Sequence, residues 1–422
     1  MTLSTELHSN SVECPPPPVE TTGLRSIRAL RLQNLTVVVA RTPADLEPHI
    51  PAWEELAASA AEPNPFFEPW MMLPAMKELG GGLDLRVALL YAPDGVRPHG
   101  PQILCGVFPL QFNRSYKGLP VSVLTLWRHR YCFLSVPLIR KGCVDQVLRS
   151  FLDWIPTQGA TLMEFQRVPG EGSFNEALVA AMYERHSLSF VDDAYVRALL
   201  KPATDSDSYF RAAVRRDHRK DIKRRARRLE ETGSVVYREL ASEEELGAWI
   251  EGFLDLEQKG WKGKNGGAFA CRAEDRRFFE EVIRAAFSRG RLMMLSLEVN
   301  GHPVSYKCNF IANEGSFAFK IAYDESYAYY SPGLLLEIEN IRSFHERGDL
   351  EWMDSCASPE HPMIDRLWQD RRIIQSVLVS AASRTGDLWI SLLPIARWAN
   401  RLIKRISSRS RTAGDKVNFS DV

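Results

Sequence analysis

The sequence has no surplus of either charge, with 53 Lys and Arg against 53 Asp and Glu. A chain so balanced has no global field with which to gather nucleic acid, and any electrostatic preference must be local. It has no CxxC pair. Its cysteines (Cys14, Cys105, Cys132, Cys143, Cys271, Cys308, Cys356) are scattered and odd in number, which argues against a disulfide framework or a zinc site and for a reducing cytosol. No continuous apolar run reaches the roughly 18 residues that a membrane-spanning helix needs. Residues 1–25 are polar and proline-rich rather than a basic stub before an apolar stretch, so no secretory signal is expected. Neither GxGxxG nor GxxxxGK[ST] occurs, which sets aside a dinucleotide fold and a P-loop. The expectation is a cytoplasmic protein without a metal.

At 422 residues the chain is long for one core, and a prior of about 150 residues per domain suggests two or three. Residues 1–30, with Pro15–Pro18 and few large apolar groups, read as a disordered leader. From residue 31 to 204 the pattern runs strand, two helices, several strands (Val121–Trp127 and Phe133–Leu138 among them), helix, strand, helix, strand. From 205 to 385 the order repeats, beginning with a long basic helix over 206–231. It continues through strands at Leu292–Val299, Pro303–Ile311, Ser316–Tyr323 and Leu350–Cys356, and ends in a helix near Met363. Two α/β units in tandem follow from that repeat of element order.

The most informative stretch is Ser316–Gly348. Alternation places Phe317, Phe319, Ile321 and Tyr323 on one face of a strand and Ala318, Lys320, Ala322 and Asp324 on the other. Ser331-Pro332-Gly333 then reads as a helix start, with Ser as N-cap, Pro at the first helical position, and Gly where backbone can approach a ligand. Such a terminus offers free N–H groups and the positive end of a dipole, a site for phosphate. On local pattern alone the commoner reading is a capped core helix that holds nothing.

Other stretches allow two readings each. Arg211–Arg228 holds ten Lys or Arg and two Asp; it is a solvated face or a groove wall for an anionic partner. Aromatic residues are nearly absent from it, so sequence reading of nucleic acid is not expected. Gly260–Gly267 (GWKGKNGG) is a flexible connection or a lid whose Trp261 covers substrate while Lys262 supplies charge. Asp354 follows Trp352 on one strand face and is either a proton acceptor or a partner for Lys320 or an arginine. His361 precedes Pro362 and can cap the next helix; a Cys356–His361 nucleophile pair is the lesser reading. Leu388–Ile406, with Trp389, Leu393, Ala396, Ile403 and Ile406 on one side and Arg397, Arg401, Lys404 and Arg405 on another, packs across the domains or lies on a membrane surface. Residues 386–422 form this basic amphipathic helix and tail.

The second-half order, with a helix start directly after the central strand, resembles the GNAT acyltransferase fold. The chain from about 35 to 380 looks like the tandem-GNAT proteins related to the cellulose-biosynthesis-associated acetyltransferase-like family, and more distantly like Fem-type aminoacyl transferases. Asn64-Pro-Phe-Phe, Gly260-Trp-Lys-Gly263, Tyr323-Asp-Glu325 with Ser331-Pro-Gly333, and Leu367-Trp368 with Arg371-Arg372 carry the resemblance. Tyr-Ala-Tyr-Tyr-Ser-Pro-Gly stands where ordinary GNAT enzymes have an Arg/Gln-x-x-Gly-x-Gly/Ala phosphate loop. The resemblance implies two tandem GNAT-like domains with mixed central sheets and transfer of an acyl group, acetyl for preference, from a CoA thioester to an amine or hydroxyl of a small-molecule or saccharide acceptor. It places donor phosphates at Ser331, Gly333, Leu334 and Leu335, chemistry at Asp354, Lys320, Asp324 and His361, and substrate contacts at Trp261, Lys262, Arg215 and Arg219. Aminoacyl transfer from tRNA to a cell-envelope precursor and a non-catalytic binding module are the alternatives.

Overall fold

Short β-branched and aromatic runs punctuated by well-capped helices make a mixed α/β protein, seen here in a computed structural model that describes residues 35–93, 102–381 and 383–395. The first half contains β1 (Thr36–Ala40), α1 (Pro43–Leu46), α2 (Ile50–Ala58), α3 (Pro69–Leu79), β2 (Leu85–Ala92), β3 (Ile103–Asn113), β4 (Val123–Leu126), β5 (Leu138–Ile139), α4 (Val144–Trp154), β6 (Leu162–Pro169), α5 (Gly172–Glu184) and β7 (Ser189–Leu200). The second contains α6 (Ser206–Ala213), α7 (Arg216–Glu230), β8 (Val235–Glu239), α8 (Glu243–Lys259), α9 (Trp261–Lys264), α10 (Ala273–Ser288), β9 (Leu292–Val299), β10 (His302–Ala312), β11 (Gly315–Tyr323), α11 (Pro332–Arg347), β12 (Trp352–Asp354) and β13 (Asp370–Ser380). A last helix, α12, covers 384–395.

Among the described residues one sheet runs β1-β2-β3-β4-β6-β13-β7-β12-β11-β10-β9-β8, with β5 beside β3. Two neighbouring pairs are parallel, β4 with β6 and β11 with β12; the rest are antiparallel. Each parallel pair is three residues long and then separates, leaving a fork in each half of the sheet. β13 was not legible in the sequence. It lies between β6 and β7, and the expected helix near Met363 is instead one 3-10 turn, Ile364–Arg366. Register shifts at Gln375/Val377 and Ser376/Val377 break its period of two, which is the signal a sequence reading depends on.

Two further expectations are corrected by local hydrogen bonding. Phe133–Pro137 is not a strand. The Asn64 amide donates to the carbonyls of Leu134 and Val136, and Ser135 N–H donates to Arg167, so this backbone is satisfied without a ladder. The basic segment is two helices, because Val214 and Arg215 are extended between α6 and α7.

The Asn64-Pro-Phe-Phe turn is fully buried at the centre of the molecule. Phe66 meets Phe133 and Phe317 edge-on, with ring centroids 5.8 and 5.6 Å apart, so a first-half turn packs onto a second-half strand. No helix among the described residues is long and apolar enough to cross a membrane. On α12, Ile390 and Leu393 are buried beside Leu378, while Leu388, Leu392 and Ile395 are 58, 41 and 61% exposed. Residues 1–34 and 396–422, including the leader, Cys14 and the basic residues from Arg397 onward, lie outside the described residues.

Candidate functional site

A cleft of about 370 Å³ opens where α7 faces the start of α11. His218, Asp221 and Arg225 line it from α7, Ser331 and Gly333 from the helix start, and Arg366 from the far side. Residues 218, 221 and 225 share one helical face at the usual spacing, so the basic helix is a groove wall here. Arg225 is its keystone. It donates from Nε to Asp221 at 2.8 Å and from Nη1 to the Ser331 hydroxyl at 2.7 Å.

That last bond changes the expected cap. Ser331 stands at the N-cap with a left-handed φ of 57°, and its side chain makes no capping hydrogen bond. Leu334 and Leu335 N–H both donate to the Ser331 carbonyl, Ser331 N–H donates to Ala328, and Pro332 has none to give. Of the amides expected to hold phosphate, Gly333 N–H alone has no acceptor among the described residues. A Cβ at Gly333 would meet Ile321 Cδ1 at 3.5 Å and Tyr323 Cδ1 at 3.6 Å, ordinary contact, so the glycine leaves room on the cleft side rather than relieving a clash.

Burial, then the positive charge of Arg366, pushes His218 below its ordinary range. Arg215 lines an adjoining surface hollow with His218 and Arg366. Arg219 is engaged elsewhere, capping α6 through donation to the Arg211 and Val214 carbonyls. Of the two arginines expected here, Arg215 lies beside the cleft and Arg219 does not line it, while Arg225, His218 and Arg366, which do, were not singled out in the sequence.

The second feature is the fork between β11 and β12. Gly315–Phe317 pair with Trp352–Asp354, after which Ser355 N–H turns to Ala198 of β7 while β11 continues to Tyr323. A bulge re-aims β11 at this point. Cys308 opposes Lys320 and Asn309 opposes Ala318, leaving Phe319 without a partner. The alternation therefore flips. Ile321 and Tyr323 face α11 beside Gly333, and Lys320 faces the aromatic core with Phe317 and Phe319, the reverse of the simple period-two expectation.

Lys320 Nζ lies 5.2, 5.7 and 5.4 Å from the ring centres of Tyr131, Phe133 and Phe269. Burial, followed by the neighbouring Lys262 charge, pulls its ammonium down to about 8. The cation–π contacts favour the charged form and so oppose that shift. Lys320 is therefore a group that exchanges its proton near neutrality. Its cage of three rings comes from elements far apart in sequence, which no local pattern encodes.

The other expected site residues are occupied by structure. Asp354 is fully buried, with Oδ2 accepting from Arg197 at 2.6 Å and Arg372 at 3.2 Å and Oδ1 accepting Cys356 N–H at 2.9 Å. Burial alone would raise its pKa, but the two guanidiniums outweigh burial and hold it below the usual carboxylate range. A carboxylate so held is a poor proton acceptor, and its partners are arginines rather than Lys320. Asp324 caps the 3-10 turn after β11 by accepting from Ser326. His361 Nδ1 accepts Ile364 N–H at 3.3 Å, the capping alternative. Burial pushes the Cys356 thiol well up, away from nucleophilic use.

Lys262 is not free for substrate. It donates to Glu257 at 3.0 Å and to the Ile321 carbonyl at 2.8 Å, bracing β11 just past the bulge. Trp261 is 55% exposed, and its N–H is held by Glu325 at 2.6 Å while Lys264 holds the other carboxylate oxygen. The Gly-rich connection is a short pinned helix, not an open loop.

Residues 216–361 match the model of the acetyltransferase (GNAT) domain. The fold is GNAT-like. Among solved structures, FemX is similar over 78% of this chain and 95% of its own, at 9% identity and a TM-score of 0.51. A tandem GNAT protein from the clavulanic acid biosynthesis pathway is similar over 83% of this chain and 99% of its own, at 13% identity and a TM-score of 0.40. No curated protein matches. The matched segment contains both facing helices of the α7–α11 cleft and the Lys320 fork.

Proposed function

We propose that this protein is an acyltransferase that takes an acyl group, acetyl for preference, from a CoA thioester. The acceptor in this reading is an amine or hydroxyl of a small molecule or saccharide. The observation that carries the reading is a basic cleft at the α11 start, bordered by Tyr323 at the end of β11, on a strand that also carries the caged Lys320 next to the fork. Arg225, His218, Arg366 and the Gly333 N–H would bind the donor's phosphates. The acyl end would run along β11 into the fork, where Lys320 in its free-base form takes the proton that the nucleophile loses. The catalytic role expected of Asp354 passes to Lys320, and Asp354 becomes a residue that holds the fork's base together. Positioning two reactants supplies the rest of the acceleration.

In this reading residues 31–204 and 205–385 are the two GNAT-like halves, the chain works in the cytoplasm, and the exposed stripe of α12 supports peripheral contact with the inner membrane face. A second reading is Fem-type transfer from aminoacyl-tRNA. The single open amide at the α11 start favours it, because a CoA pyrophosphate is better served by several.

Calorimetry with CoA tests the donor site. Arg225→Gln removes a charged hydrogen-bond donor worth about 1.5–3 kcal/mol, so affinity should fall roughly tenfold to a hundredfold. Gly333→Val should do at least as much by obstructing the open amide. Unchanged affinity in both folded variants would sink the assignment.

A further inference from the structure

The first half of the sheet has a fork of its own, and its contents have no place in the mechanism above. β4 and β6 pair over Val123–Thr125 and Leu162–Glu164 and then part. Just beyond the parting stand Arg128, two residues past the end of β4, and Arg167 on β6. Here too a bulge aims the side chain. Val377 opposes Phe165 and Gln375 opposes Val168, so Gln166 and Arg167 together face the single Ser376, whose hydroxyl accepts Arg167 N–H at 3.2 Å. Arg167 has a left-handed φ of 45°, a conformation an arginine adopts only when its surroundings impose it.

Neither guanidinium is neutralised. Among the described residues no carboxylate forms an ion pair with Arg128 or Arg167, and neither side chain has a hydrogen-bond acceptor. Arg128 Nε is buried without a partner, and Arg167 lies 5.9 Å from the centre of the Tyr195 ring. Glu164, the nearest acid, accepts from Gln166. Both arginines are half-buried rather than sealed off. Burial and then the charge of Arg167 push Arg128 below its ordinary value. Two like charges set together, one with a buried idle donor and the other on a strained backbone, cost stability. Such an arrangement persists when a ligand repays it.

We infer that the fork between β4 and β6 is an oxyanion-binding site, in which Arg128 and Arg167 grip a phosphate or carboxylate group of a ligand. Paired guanidinium forks suit either group, and Tyr195 offers a ring face beside them. The site is separate from the α7–α11 cleft, and its existence does not depend on the donor being CoA.

The test is calorimetry on the full chain with inorganic pyrophosphate and, separately, succinate, alongside melting in anion-free buffer. Arg225→Gln serves as the background, so that binding at the other cleft is suppressed. Arg128→Gln and Arg167→Gln should each weaken the responding anion at least tenfold, and the double variant should abolish the response. A stronger response to pyrophosphate assigns the site to phosphoryl ligands, and a stronger one to succinate assigns it to carboxylates. Because the two guanidiniums repel each other, Arg128→Gln should melt at or above the parent temperature in anion-free buffer, and Arg128→Lys should retain part of the binding. Equal anion binding in the double variant, or no response to either anion in the parent, overturns the inference. So does a melting temperature lowered by Arg128→Gln, since that would reveal a structural partner.

Discussion

Replacing Lys320 by Met should lower kcat by about 10²–10⁴, the usual worth of a positioned proton acceptor, while leaving CoA affinity nearly intact. The pH dependence identifies the role. With a lysine that titrates near 8, kcat should rise as pH passes through that value and the free amine accumulates. A fall in kcat over the same range would mean that the ammonium form is the active one. Stability supplies a second readout. The folded protein releases this proton near pH 8 and the unfolded chain near the ordinary 10.5, so between those values the unfolded state binds more protons and stability rises with pH. Below pH 8 the buried charge costs up to about 3 kcal/mol, less what the three rings return. Lys320→Met should therefore melt no lower than the parent at neutral pH and lose the stability rise between pH 8 and 10.5. A variant that melts lower and keeps its turnover per folded molecule would make Lys320 a packing residue.

Asp354→Asn should have the opposite signature. Its removal strands Arg197, itself buried, with a charge that no other carboxylate among the described residues pairs with. Breaking one side of a buried pair costs about 3–5 kcal/mol, a large part of a domain's stability. Asp354 is depressed in the folded state, so its contribution is present above the unfolded carboxylate value of about 4 and fades as pH falls through the lower folded value. The parent should lose stability in acid more steeply than the variant. Turnover per folded molecule should stay within a few-fold of the parent. A folded, stable Asp354→Asn with kcat down a hundredfold would restore it as the base.

These two residues show where sequence reading stopped. The helix start at Pro332 and the helical character of the basic segment were legible because they depend on near neighbours, whereas the break at Val214–Arg215 and the missing Ser331 side-chain cap were not. The bulge at Phe319 was not, since it is fixed by pairing with β10 and reverses the alternation that follows. Asp354 looked accessible because its strand neighbours share a face, whereas its arginine partners come from β7 and β13, 157 and 18 residues away. β13 itself returns from the second half to complete the first, and no run of hydrophobic residues announces a strand's partner.

The central claim is that the cleft between α7 and α11 holds an activated acyl donor, and melting with and without acetyl-CoA tests it most directly. At about 100 times its dissociation constant the ligand should add about 2.7 kcal/mol to native stability and raise the melting temperature of the parent, and it should raise that of Gly333→Val by half as much or less. A parent that melts at the same temperature with and without saturating acetyl-CoA contradicts the account.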